Sequence, residues 1–252
     1  TTNAVAVGDQ FAVDFMSFGG AVNNAIYRIE LEETGDNTAT FEGTAEYVML
    51  NQINYNLAAT YNAVNAIQDD VDMIVHVDMT DEDSIRVNYL DLGADGVSTQ
   101  ISDQQEAPTH SGTADLDMDT YKIADTVIVT ITDQDLNTNS ELIDVYITDD
   151  TTEKVGLGTG GSHVVDITFN DTQWLALYAT GFTLVETGID SGIFTGSFQV
   201  PEFYTGTTSS TGTDIEVNYN DFRDHSGNTI EVGDGASISA NTGSVSFDRS
   251  VY

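Results

Sequence analysis

Cysteine is absent from the 252 residues, proline occurs twice, and Lys plus Arg number only six. Without thiols there is no disulfide framework, no thiolate zinc site and no cysteine nucleophile. So few basic residues argue against nucleic acid or an anionic membrane as partner, since both need clustered positive charge. No apolar run approaches the ~20 residues that a membrane-spanning helix needs, so direct membrane insertion is not expected. The sequence opens on Thr1-Thr2 without a basic and apolar leader pattern, and it reads as a piece of something longer.

What the sequence has in abundance is acid. Asp plus Glu number 42, the formal net charge is −36, and the apolar share is 40%. That apolar share suits a folded core and not a disordered acidic tail. The six bases, Arg28, Arg86, Lys122, Lys154, Arg223 and Arg249, cannot pair so many carboxylates. Most of the charge must be hydrated, hydrogen-bonded or compensated by bound cations. Self-repulsion on this scale destabilises a compact chain unless counterions screen it. The screening length falls from about 8 Å at physiological salt to about 3 Å at 1 M, so a salty or calcium-containing medium is expected.

Period-2 patterns set the fold class. Val127, Val129 and Ile131 alternate with polar residues, as do Ile215, Val217 and Tyr219, and Asp115-Leu116-Asp117-Met118-Asp119 alternates acid with apolar. These are half-buried strands, and their punctuation by Gly, Thr, Asn and Asp predicts an all-β sandwich.

Three segments then recur in the same order. Val7 to Val13 is echoed by Ile123 to Val129. Glu33-Thr34-Gly35, with Phe41-Glu42-Gly43 after it, returns as Glu186-Thr187-Gly188 with Phe194-Thr195-Gly196. Val87-Asn88-Tyr89-Leu90-Asp91 returns as Val217-Asn218-Tyr219-Asn220-Asp221. A further copy starts at the end, where Gly243 to Asp248 matches Gly112 to Asp117 and Tyr252 matches Tyr121. The repeat predicts tandem immunoglobulin-like sandwiches over 1–107 and 108–242, with 243–252 as the first strand of a following repeat or, alternatively, as a strand that completes the second sandwich if neighbouring domains share an edge. The polar stretch Ser102 to Pro108 marks the boundary. Within the first unit, Ile53, Leu57, Tyr61 and Val64 fall at helical spacing, which predicts a short helical insertion over Gln52 to Gln68. An ordinary loop is the alternative.

Two acidic clusters stand out as metal ligands. Asp133, Asp135, Asn137, Asn139, Glu141 and Asp144 place oxygen side chains at alternate positions, a pattern suited to Ca²⁺ or Mg²⁺. An EF-hand is not expected, because Thr138 stands where its glycine belongs and the flanks are strands. Asp221 and Asp224, with Asn228, form the second cluster, where Arg223 could neutralise a carboxylate instead. For the first cluster the competing reading is a solvated acidic turn; for the second it is neutralisation by Arg223, with no ion needed. Asp69, Asp70 and Asp72, and Asp81, Glu82 and Asp83, read more simply as hydrated charge.

Catalytic signals are poor. Gly156 to Gly161 fits GxGxxG only formally, since a strand pattern follows it and not a helix. His76, His110, His163 and His225 lack zinc spacing, and no GxSxG or HExxH occurs. No enzyme activity and no catalytic residues are expected.

The strings Leu116-Asp117, Tyr121 and Asp125, then Val129 to Asn137, then the Glu-Thr-Gly…Phe-x-Gly turn, resemble the repeats of surface-layer proteins of ammonia-oxidising archaea. The most specific parts are Asp133-Gln134-Asp135-Leu136-Asn137 and the turn. The resemblance implies an extracellular structural protein that self-associates into a porous two-dimensional lattice. It also implies an acidic surface that binds divalent cations and concentrates small monovalent ones such as ammonium. One departure matters: the first copy has Phe15-Met16-Ser17-Phe18 where the second has its acidic string, so an ion site does not carry over there. The alternative is a calcium-stabilised adhesion or ligand-binding module.

Overall fold

A computed structural model of the chain describes residues 10–18, 26–50, 58, 62, 67–68, 70–75, 84–106, 108–148, 165–178, 182–240, 245–246 and 248. It is all-β, and among the described residues helix is confined to short pieces. The pattern residues form strands because their apolar side chains alternate along a pleat, so every second one reaches the core.

The second unit is a two-sheet sandwich. One sheet runs β12 (Val145–Thr148), β15 (Phe182–Glu186), β16 (Ile193–Gln199), β11 (Thr126–Thr132) and β9 (Thr113–Leu116). The other runs β10 (Thr120–Tyr121), β20 (Ile230–Ile238), β19 (Asp214–Asp221), β13 (Val165–Phe169) and β14 (Thr172–Gln173). Val127, Val129 and Ile131 of the first sheet share one core with Val165, Ile167, Phe169, Ile215, Val217 and Tyr219 of the second. Along β11 and β19 the buried positions fall on alternate residues, as the sequence predicts. Strand β9 stops at Leu116 and leaves Met118 exposed, so the expected alternation to Asp119 is cut short. A single helical turn, α1 (Leu175–Tyr178), and the hairpin β17 (Phe203–Tyr204) with β18 (Thr207–Thr208) complete this unit. Phe169 stacks on Tyr204 and meets Trp174 edge-on.

The first unit is organised differently. Its main sheet runs β3 (Phe41–Glu42), β2 (Ile26–Glu33), β1 (Gln10–Phe18), β7 (Ser84–Leu92) and β8 (Ser98–Gln105), with β5 (Ile67–Gln68) parallel to β2. A separate parallel pair joins β4 (Thr44–Met49) and β6 (Asp70–Val75). By sequence, β1 corresponds to β11 and β7 to β19. Yet β1 and β7 are direct neighbours, Phe15 opposite Val87, whereas β11 and β19 lie in different sheets. The repeat in sequence therefore does not extend to the pairing of these strands. Ser102 to Gln105, expected in the boundary, are the end of β8. Of the expected helical insertion, Ala58 and Asn62 are helical and Ile67–Gln68 is a strand; the rest lies outside the described residues, as does Gly156 to Gly161.

The repeated turn does fold alike in both units, atom by atom. Thr34 N donates to Thr40 O at 2.9 Å, and Thr187 N to Ile193 O at 2.8 Å. Glu33 Oε1 accepts from Ala39 N at 2.8 Å, and Glu186 Oε1 from Gly192 N at 3.0 Å. The left-handed residues match too: Asn37 and Ala39 have φ 55° and 54°, Asp190 and Gly192 54° and 59°. The closing glycine has a steric cause. A Cβ on Gly43 would stand 2.9 Å from Glu30 O, and one on Gly196 2.7 Å from Thr183 O, the corresponding carbonyl.

Candidate metal centre and domain junction

The acidic string follows directly from the end of β11. Asp133 caps a 3-10 turn over Gln134–Leu136, its Oδ1 accepting from Asp135 N at 2.9 Å. Short oxygen side chains favour this position because they satisfy the N–H groups that a helical turn leaves open. Its Oδ2 accepts from the Tyr219 hydroxyl at 2.5 Å. Asp135 accepts from His110 twice, from the backbone N–H at 3.0 Å and at the ring Nδ1 at 2.8 Å. Asp144 gathers Thr138 N at 2.6 Å, the Thr138 hydroxyl at 2.8 Å and Asn139 N at 3.2 Å. Asn139 Oδ1 accepts from Glu141 N and Leu142 N, and Glu141 itself is exposed. Asn137 Nδ2 donates to Asp190 Oδ1 at 2.9 Å, while its Oδ1 is buried with no partner.

The second cluster behaves in the same way. Asp221 accepts from Gly112 N at 2.9 Å and from Arg223 N at 3.0 Å. Asp224 Oδ1 accepts from Ser226 N at 2.8 Å and Asn228 N at 2.9 Å. The Arg223 guanidinium donates to Phe222 O and the Thr229 hydroxyl and lies over the Phe222 ring at 4.7 Å. Its backbone N–H, and not its charge, serves Asp221.

The predicted ligands are thus placed chiefly as acceptors for backbone N–H groups. Among the described residues, no three His, Asp or Glu side chains converge as a metal cage. What the carboxylates do hold is the segment that joins the two units. Thr109 donates to Asp224 O at 2.6 Å. His110 is clamped by Asp135, Ser111 pairs with His225 Nδ1 at 2.6 Å, and Gly112 N reaches Asp221. From the first unit, Tyr47 OH donates to Pro108 O at 3.1 Å. Here β4 faces the acidic string across a cavity of about 180 Å³, lined in part by Glu46, Tyr47, Asp135, Asn137, Asn139 and Asp190.

Burial dominates the electrostatics. Desolvation, then the neighbouring Asp135 charge, lifts the Asp133 carboxyl to about 7, and desolvation lifts Asp221 to about 6. The hydrogen bond that His110 donates to the Asp135 carboxylate raises the histidine. Two backbone N–H groups, Asn228 first, lower Asp224. Burial takes the Tyr47 phenol to about 12. The junction roles of His110, Tyr219, Gly112 and Tyr47 are not legible in the sequence, because each meets its partner only through long-range folding.

No protein-family model matches the sequence, and no curated protein matches it at a significant level.

Proposed function

We propose that the chain is a structural subunit of an extracellular surface layer. In this reading it is built from tandem immunoglobulin-like sandwiches and assembles with copies of itself. Its acidic shell holds divalent cations and draws in small ones such as ammonium. It performs no catalysis. The observation that carries the reading is where the acid sits. Asp36, Glu42, Asp95, Asp103, Asp115, Asp117, Asp119, Asp214 and Glu231 are exposed along strands and turns, spread over the surface and not gathered in one cleft. Such a shell repels its neighbours until cations screen or bridge it, and the remaining field raises the local cation concentration. The repeated turn supports the tandem architecture.

The residues that line the junction cavity supply oxygens suited to Ca²⁺ or Mg²⁺, Asn137 Oδ1 among them. When bound there, such an ion would tie β4 to the acidic string and stiffen the pair of units. The adhesion or ligand-binding reading is second. It draws support from an open groove of about 800 Å³ beside Trp174 and Phe182 on the outer face of the second sandwich.

Electron microscopy with calcium, and with a chelator at matched ionic strength, tests the first reading. Ordered two-dimensional sheets with calcium are expected. Isolated particles in both conditions, with a glycan or protein retained by the Trp174 groove, would replace it by the second.

A further inference from the structure

The edges of the larger sheets are short, with one exception. Strands β3, β10 and β14 have two residues each, and β9 and β12 have four. A short edge offers little ladder to another chain, which is one way that folded proteins avoid unwanted pairing. Strand β8 is different. It is the outermost strand of its sheet, pairs only with β7 among the described residues, and runs for eight residues, every one of them exposed. The other usual guards of an edge are missing too. Ser98-Thr99-Gln100-Ile101-Ser102-Asp103-Gln104-Gln105 holds no lysine, no proline and one charge, Asp103, in a chain of which 19% is charged.

The hairpin that carries this edge shows apolar side chains on both faces. Tyr89 and Ile101 stand opposite each other on one face and are 40% and 54% exposed. Leu90 and Leu92, 67% and 68% exposed, lie on the other face, opposite Gln100 and Ser98. Exposed apolar surface beside an open backbone ladder is what an added strand covers.

We infer that β8 pairs antiparallel with β8 of a second copy, across a two-fold axis at Ile101, so that the two main sheets become one. A two-fold axis perpendicular to a sheet sets one residue opposite itself. Centred on Ile101, it places Ile101 against Ile101 with a Tyr89 on either side, and an apolar row crosses the junction. Gln100 then meets Ser102, and Thr99 meets Asp103. Centred on Asp103, the axis would set two carboxylates face to face, and like charges directly opposite are destabilising. The charge of the whole molecule selects the same place. Two copies that each carry −36 approach best where their surface charge is sparse. The contact is isologous and closes on itself, so it makes a dimer, and a layer needs one further contact. This pairing rests on the self-association proposed above and gives it a surface.

The absence of cysteine makes cross-linking specific. Directly opposed residues on paired antiparallel strands lie within disulfide reach, and residues two places out of register do not. Under mild oxidation the I101C chain is expected to form covalent dimers, and T99C mixed with a differently sized D103C chain to form mixed ones. S102C and D103C alone are expected to stay monomeric. S102C dimers in equal yield, or no I101C dimers, overturn the pairing. In 1 M sodium chloride, where the screening length is about 3 Å, sedimentation of the unaltered chain should show dimers. I101K should weaken them at least tenfold, and mixing I101K with I101E chains should restore association, since the residue at the axis faces its own copy. Unaltered chains that stay monomeric throughout a concentration series overturn the pairing. If the β8 amides of such monomers resist hydrogen exchange, another part of the same chain holds the edge. Calcium-dependent sheets that form undiminished from the I101K chain would sink this contact and leave the surface-layer reading standing. I101C dimers without sheets would do the reverse.

Discussion

The Tyr219 hydroxyl donates to Oδ2 of Asp133 at 2.5 Å, joining β19 of one sheet to the end of β11 in the other. Both groups are buried. Tyr219→Phe would leave the carboxylate oxygen without its donor, and an unsatisfied buried acceptor costs about 1–3 kcal/mol. Denaturant unfolding should therefore show a loss of that order at pH 8. Because Asp133→Asn removes the charge, the double variant Asp133→Asn with Tyr219→Phe should lose less than the sum of the single changes. Additive losses would mean that the two groups are not coupled.

Stability should rise on mild acidification. Asp133 near 7 and Asp221 near 6 stand above the ordinary 3.8, so the folded chain binds protons that the unfolded chain releases. Their contribution is fully present below about 4 and is lost as pH rises through 6 and 7. His110 is raised from 6.5 and adds the same sign, present below that value and lost above its folded one. Asp224 is lowered and works oppositely, losing its contribution as pH falls below 3.8. At constant ionic strength the melting temperature should climb from pH 8 to pH 5 and fall again in stronger acid. Asp133→Asn should flatten the upper part of that profile; an unchanged slope would place the proton uptake elsewhere.

The two turns predict an asymmetry. Gly192 sits at φ 59°, and a Cβ there would collide with Gln134 Oε1 and approach its Cα to 3.0 Å. Gly192→Ala should destabilise by about 1–3 kcal/mol, through left-handed strain together with the clash. Ala39 already bears that strain at φ 54°. Ala39→Gly relieves it while adding freedom to the unfolded chain, and the net change should lie between zero and about 1 kcal/mol of stabilisation. Calorimetry of the two variants checks both signs.

These comparisons show which physics the sequence carries. The alternation of β11 and β19 and the Glu-Thr-Gly turn are local, decided by side-chain period and by which residues accept positive φ, and they are legible directly. The partnership of β1 with β7 is not, because strand pairing is fixed by what else competes for an edge. The acidic string was ambiguous for a different reason. Oxygens at positions 133 and 135 suit a hard cation, but the same spacing lets Asp133 cap the N–H of Asp135. Only the folded positions of His110 and Tyr219 reveal where the remaining oxygens are spent.

Calcium and plain salt should separate in a melting experiment. A net charge of −36 stabilises an expanded chain, and raising monovalent salt from 0.01 to 1 M shortens the screening length from about 30 to about 3 Å. Sodium chloride alone should therefore raise the melting temperature. A cation held at the junction adds stability by mass action on top of screening. Calcium chloride is thus expected to give a larger rise than sodium chloride at equal ionic strength. Asp190→Asn with Glu46→Gln, which removes two charges from the cavity lining, should abolish the excess while leaving the sodium response in place. If the two salts coincide at matched ionic strength, cations act on this chain only as a diffuse atmosphere, and the junction cavity drops out as their binding place.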